Sequence, residues 1–187
     1  MKILTGMFMF FTLTSVSWAM EIPEPTLDQI INFRQYTPLY ASSGQPTPEQ
    51  LQDLKDEGFE RVVYIAFSNA TGLPDEDVLV KGLGMQYLHI PVDWDKPLTS
   101  EFDHFADYMQ RGKDSKTLLH CQINLRASAF SFLYRVIYQG VGVAEAKEDM
   151  NSVWQPTEVW RDFIFEVLAQ HGNSPQCEGC DWTPSVF

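Results

Sequence analysis

Arg61 to Phe67 (Arg-Val-Val-Tyr-Ile-Ala-Phe) is close to a continuous apolar run, and no other stretch restricts the fold of this chain more. A strand with one face in water alternates apolar and polar residues; an unbroken run suits a central strand covered on both faces. Segments of strand and helix character alternate around it. Leu39 to Ala41 reads as a short strand and Ser42 to Pro46 as a turn. Thr47-Pro48-Glu49-Gln50 offers an N-cap hydroxyl, Pro at the first helical position and Gln three after the cap, so a helix is expected from there to Glu57, stopped by Gly58. Asp75 to Lys81 is a weaker helix, and Met85 to Val92 a strand. Thr99 and Ser100 are expected to cap a helix reaching about Gln110, whose Phe102, Phe105, Ala106 and Met109 share one face. Thr117 to Leu119 is a buried strand, and from Ala127 to Gly140 the spacing of Phe130, Leu133, Tyr134 and Ile137 is helical. Helices near Val143 to Asn151 and from Thr157 to about Gln170 complete the order, the last with Val159, Phe163 and Val167 inward. The expectation is an α/β three-layer sandwich with a mainly parallel central sheet over residues 39–170. An extended segment, residues 20–38, precedes it and a tail, residues 171–187, follows.

Ligands of such folds bind beyond the carboxyl ends of the strands. One such end carries His120-Cys121-Gln122-Ile123-Asn124-Leu125-Arg126-Ala127-Ser128. Cys121 falls where a strand hands over to a helix, a place where backbone N–H groups and the positive end of a helix dipole can converge on an anion, thiolate or bound oxyanion. Arg126, five positions on, is near enough for its guanidinium to clasp two oxygens of a phosphate or sulfate in the loop. An isolated cysteine at a strand end is more often a small buried hydrophobe than a nucleophile. Here a histidine before it, an arginine at loop distance and the hydroxyl of Ser128 argue together for an anion-binding cysteine site.

This stretch resembles the signature of the protein tyrosine and dual-specificity phosphatases: His-Cys, five residues, Arg, then Ser or Thr. Four residues, not five, separate Cys121 from Arg126, while Ser128 keeps the family's distance from the cysteine. Asn124 stands where the family usually has Gly, and Asn is among the few other residues that tolerate a left-handed backbone. The resemblance extends to Gly44-Gln45-Pro46-Thr47, His89-Ile90-Pro91-Val92 and Trp154-Gln155-Pro156 with Trp160, which look like a bacterial phosphatase-like family, some of whose members are fused to β-lactamase-like hydrolase domains. It covers most of residues 30–165 and implies the tyrosine-phosphatase fold.

What the resemblance implies is a cysteine-dependent phosphatase. Cys121 would be the nucleophile, and Arg126 with the N–H groups of Gln122, Ile123, Asn124, Leu125 and Arg126 would form the phosphate-binding loop. His120 would support that loop and Ser128 would help expel the thiolate. The general acid would come from Asp93-Trp94-Asp95, between a strand and a helix as in the dual-specificity enzymes; Asp95, ten before Phe105, is favoured over Asp93. Trp94 is either packing or a wall of the substrate cleft, and His89 reads as a satisfied strand histidine. The shortened loop bears most on Arg126, since a misplacement of ~1 Å can lower a rate ~100-fold. Two alternatives stay open. Many rhodanese-like sulfurtransferases have Cys, four residues and Arg, though they use no general-acid Asp; a non-catalytic anion- or partner-binding module needs neither.

Lys2, the apolar run Ile3 to Phe11 and Ser17-Trp18-Ala19 read as a signal peptide over residues 1–19, which places the expected protein in the periplasm or outside the cell. Removing it takes away one lysine and no acid, so the net charge goes from −12 to −13. Such a balance argues against nucleic acid or an anionic membrane as partner and leaves a phosphorylated small molecule or phosphoprotein. In an oxidising compartment Cys177 and Cys180 are expected to pair, leaving Cys121 as the odd thiol. A redox role for that pair is weaker, because it lies in a Gly/Pro-punctuated tail. A zinc site is weaker still, with His171 the one nearby further ligand. No cofactor or metal is expected.

Overall fold

A computed structural model of the chain describes residues 27–67 and 72–183. The expected signal peptide at residues 1–19 and the whole of the segment Glu21 to Pro25 lie outside the described residues. After a short 3-10 turn, Leu27–Gln29, come β1 (Arg34–Thr37), β2 (Tyr40–Ser43), α1 (Pro48–Asp56), β3 (Arg61–Tyr64), α2 (Glu76–Gly82) and β4 (Gln86–His89). They are followed by α3 (Thr99–Arg111), β5 (Thr117–His120), α4 (Leu125–Tyr138), α5 (Val143–Asn151) and α6 (Glu158–Gln170). The sheet order is β1-β2-β5-β3-β4. β2, β5, β3 and β4 pair in parallel, and β1 adds an antiparallel edge through a hairpin with β2.

Successive strand residues point to opposite faces, and the core divides accordingly. Ala41, Val62 and Leu118 pack with Leu51, Leu54 and Val80 of α1 and α2 on one face. Tyr40, Val63 and Leu119 pack with residues of α3, α4 and α6 on the other. The result is the expected three-layer α/β sandwich. The run beginning at Arg61 is central, with Val62, Val63, Ile65 and Ala66 at 0% exposure, though ladder pairing stops at Tyr64. Among the described residues no helix is long and apolar enough to cross a membrane.

Local signals decided where several helices begin. Thr47 caps α1 as the sequence predicts: its hydroxyl accepts the Gln50 N–H at 3.2 Å and the Gln50 side chain accepts the Thr47 N–H at 3.0 Å. At α3 the expected caps Thr99 and Ser100 are instead the first helical residues. Leu98 holds the cap position and its N–H is taken by the Glu101 carboxylate at 2.8 Å. In α6 Phe163 and Val167 face inward, but Val159 is 43% exposed and Trp160, 2% exposed, fills the inward position. One residue of phase separates the two, and the indole wins because it buries more area and finds an acceptor for its N–H, the Trp94 carbonyl at 3.0 Å.

Cys177 and Cys180 are joined by a disulfide. His171 makes a 3.1 Å contact with Asp103 and not with the cysteines. The tail after α6 is fixed by Trp182, whose ring lies 5.1 Å from that of Phe165 and 5.7 Å from that of Phe132.

Candidate active site

β5 lies between β2 and β3, so its end is flanked by Ser43 on one side and Tyr64 on the other. Cys121 continues the ladder for one bond, its N–H reaching the Ser43 carbonyl at 3.3 Å. The chain then turns through Asn124, at φ 71° and ψ 3°, into α4. This is the left-handed conformation that the sequence assigns to Asn124. Its side-chain amide donates to the Asn32 carbonyl at 2.6 Å, and Asn32 donates back to the Ile123 carbonyl at 3.0 Å. On the far side the Gln45 N–H holds the Gln122 carbonyl at 3.0 Å. The loop from Gln122 to Asn124 is therefore pinned from both sides.

Gly44 makes one of these pins possible. A Cβ there would stand 2.8 Å from the Gln122 carbonyl oxygen and 2.8 Å from Ile31 Cβ, neither of which is a flexible side-chain end. Gly44→Ala is expected to destabilise the protein by about 1–3 kcal/mol through overpacking and to lower anion affinity, since relief requires moving the loop itself. Thermal unfolding and a phosphate titration would show both; an unchanged phosphate affinity would contradict the coupling.

The loop presents donors. The first intrahelical bond of α4 runs from the Ser128 N–H to the Asn124 carbonyl at 2.9 Å, and no side chain caps the helix. The N–H groups of its first turn are left for another acceptor. Arg126 is half-buried. Its Nη1 donates to Gln122 Oε1 at 2.8 Å, its Cζ lies 5.2 Å from the Trp94 ring centre, and its buried Nε has no partner among the described residues. No carboxylate among them pairs with it. Cys121 is 1% exposed and lies at the base of the loop, below the half-buried Arg126.

Trp94 fixes the position of the Asp93–Asp95 segment. Its ring stands 5.4 Å from that of Trp154 and 5.3 Å from that of Trp160, and its carbonyl takes the Trp160 N–H. The two aspartates flank Trp94, the residue whose ring neighbours the Arg126 guanidinium. Asp93 is committed to the turn, accepting the Asp95 N–H at 2.8 Å, while the exposed Asp95 carboxylate has no partner among the described residues. Ser128, 1% exposed, donates to the Leu125 carbonyl at 3.0 Å and accepts from Trp154 Nε1 at 3.1 Å.

His120 is fully buried and stacked on Tyr64, ring centres 4.8 Å apart. His89 stacks on the other face of Tyr64 at 4.9 Å and contacts the Ala66 carbonyl at 2.6 Å, a satisfied strand histidine. Burial pushes the Tyr64 phenol up, and the negative charges of Glu76 and Cys121 push the same way against the opposing effect of Arg126. Sequence reasoning missed Glu76 entirely. It is 4% exposed, accepts from Gln45 Nε2 at 2.7 Å and from the Tyr87 hydroxyl at 3.0 Å, and stands 3.3 Å from His120 Nε2, close but not an aligned hydrogen bond. Burial raises its pKa, but His120 and the donated hydrogen bonds outweigh that and hold it below the usual carboxylate range. Nothing in the sequence separates Glu76 from its acidic neighbours Asp75 and Asp77. A 590 Å³ cavity adjoins this network, lined by Tyr64, Glu76, Tyr87 and His89 among others, and takes in neither Cys121 nor Arg126.

No protein-family model matches the chain, and no curated protein is significantly similar to it. Solved structures are. A "Putative phosphatase (DUF442)" of Shewanella putrefaciens CN-32 is 32% identical, the match covering 78% of this chain and 96% of that one with a TM-score of 0.72. Tk-PTP in its active form is 20% identical over 75% of this chain and 95% of its own, with a TM-score of 0.61. TpbA of P. aeruginosa, as a cysteine-to-serine form in complex with pTyr, is 18% identical over 73% of this chain and 90% of its own, with a TM-score of 0.56. The last two likenesses concern the fold, which is that of the protein tyrosine phosphatases.

Proposed function

From a chain that belongs to the DUF442 family of phosphatase-like proteins, we propose a cysteine-dependent hydrolase of phosphomonoesters that works through a cysteinyl-phosphate intermediate. The observation that carries this reading is the convergence at one loop of an uncapped helix start, a buried Arg126 Nε without a partner, and Cys121 at the floor. Donors left unpaired in a buried place are costly unless an acceptor arrives. A tetrahedral oxyanion supplies several acceptors at once.

In the first step the Cys121 thiolate attacks phosphorus. The bond from phosphorus to the leaving oxygen breaks, and the protonated Asp95 carboxyl gives its proton to that oxygen. In the second, water attacks phosphorus, Asp95 takes its proton, and the sulfur–phosphorus bond breaks to return the thiolate and inorganic phosphate. Arg126 and the loop N–H groups offset the charge on the equatorial oxygens in both transition states. Ser128, near the sulfur in sequence and held by Trp154, would favour departure of the thiolate. Asp95 is preferred to Asp93 because its carboxylate is free of the turn.

Turnover of p-nitrophenyl phosphate tests the reading. Asp95→Asn is expected to lower kcat by about 10²–10⁴-fold, and Asp93→Asn by much less. Equal losses in the two variants would reassign the acid. Thiocyanate formed from thiosulfate and cyanide, with aryl phosphates untouched, would replace the phosphatase by a sulfurtransferase. Export to the periplasm or beyond belongs to the same proposal. The paired Cys177 and Cys180 suit an oxidising compartment.

A further inference from the structure

The loop between Cys121 and Arg126 holds a residue whose side chain, and not only its backbone, bears on the site. Gln122 reaches back across the loop: its Oε1 accepts from Arg126 Nη1 at 2.8 Å. Its Nε2 donates to the Tyr64 hydroxyl at 3.2 Å and approaches the Phe67 carbonyl at 3.5 Å. Tyr64 is in turn held by its stack between His89 and His120 and by donating to the Phe67 carbonyl at 3.1 Å. One amide thus ties the guanidinium to the rigid end of β3. We propose that Gln122 is the positioning residue for Arg126, clamping Nη1 so that the Nε edge of the guanidinium faces the bound oxyanion. The inference rests on the anion-binding reading of the loop.

Three observations fit together. A guanidinium has five donors in a fixed plane, so holding one nitrogen fixes where the others point. The nitrogen that is held is Nη1, and the buried Nε is left without a partner among the described residues. The tether is also neutral. A carboxylate in the same place would fix Arg126 equally well but cancel the charge that draws an anion, whereas an amide holds the group and leaves its charge for the ligand. Trp94 closes the remaining side of the guanidinium without adding charge.

The test compares Gln122→Met, similar in length but unable to hydrogen-bond, with Gln122→Glu, similar in shape but charged. The readouts are sulfate binding by calorimetry at neutral pH, kcat and KM on p-nitrophenyl phosphate, and thermal unfolding as a check on folding. Gln122→Met is expected to lower kcat/KM by about 10–100-fold, the range for a misplaced catalytic group, with the larger part in kcat. Gln122→Glu is expected to weaken sulfate binding by at least about tenfold and more than Gln122→Met does. A purely structural role would lower the unfolding temperature in both variants without that order. Wild-type protein that binds sulfate while both variants bind it equally well would overturn the inference and leave the loop reading intact. Failure of the wild type to bind sulfate would overturn both.

Discussion

Cys121→Ser is expected to lower kcat on p-nitrophenyl phosphate by about 10⁴-fold or more, the scale seen when the atom that carries a covalent intermediate is removed. Sulfate affinity should change by only a few-fold. The two results separate because different groups produce them. In the proposed site the anion would be held by the N–H groups at the start of α4 and by Arg126, and a serine hydroxyl in place of the sulfur leaves these where they are. Turnover needs the thiolate, which a hydroxyl replaces poorly because it is far less acidic. Titration calorimetry with sulfate and a continuous nitrophenolate assay on the same preparation measure both. Retained turnover would remove Cys121 from the mechanism, and lost sulfate binding would mean that the sulfur is a structural part of the cradle.

Glu76→Ala should be the most damaging single change to stability, at about 3–5 kcal/mol, because it removes a buried carboxylate that accepts two side-chain hydrogen bonds. The carboxylate is the acceptor for Gln45 Nε2 and the Tyr87 hydroxyl and the neighbour of His120 Nε2. Without it Gln45 Nε2 and the Tyr87 hydroxyl lose their acceptor and the fully buried His120 loses its neighbouring carboxylate. Function should suffer too, since Gln45 holds the loop through its N–H and His120 precedes the nucleophile. The same carboxylate gives a sign to the pH dependence. Its pKa in the folded protein lies below the ordinary 4.5, so its contribution is fully present above the ordinary value and is lost as pH falls through the folded one. In wild-type protein, unfolding monitored by denaturant between pH 7 and pH 3 should show stability falling at the acid end, and Glu76→Gln should flatten that part of the curve. An equally steep acid limb in the variant would contradict the assignment.

Much of this site is legible in the chain because its parts lie on a short stretch with strong local signals. The buried strand into Cys121, the arginine five residues on and the helix after it set up the loop, and Asn124 announces the left-handed turn by its residue type. Asp93 and Asp95 are singled out as candidates by their place between a strand and a helix. Glu76, Tyr64, Asn32 and Gly44 are not legible in this way, because their roles come from contacts across the sheet. Gln45 and Glu76 are 31 residues apart in sequence and 2.7 Å apart in space, and the pairing of β2 and β3 with β5 decides who meets whom. The two local misreadings are of a different kind. Thr99 and Ser100 are good capping residues, but the Glu101 side chain satisfies the Leu98 N–H and lets the helix start at Thr99. Val159 and Trp160 differ by one position, and the larger side chain turned inward.

Rapid acid quench during turnover of an aryl phosphate, followed by mass spectrometry of the peptides, tests the central claim most directly. The account predicts one phosphoryl group on the peptide carrying Cys121, accumulating further in Asp95→Asn with a fast leaving group, because attack by water then lacks its base. Hydrolysis of the ester with Cys121 unmodified throughout the time course would contradict it.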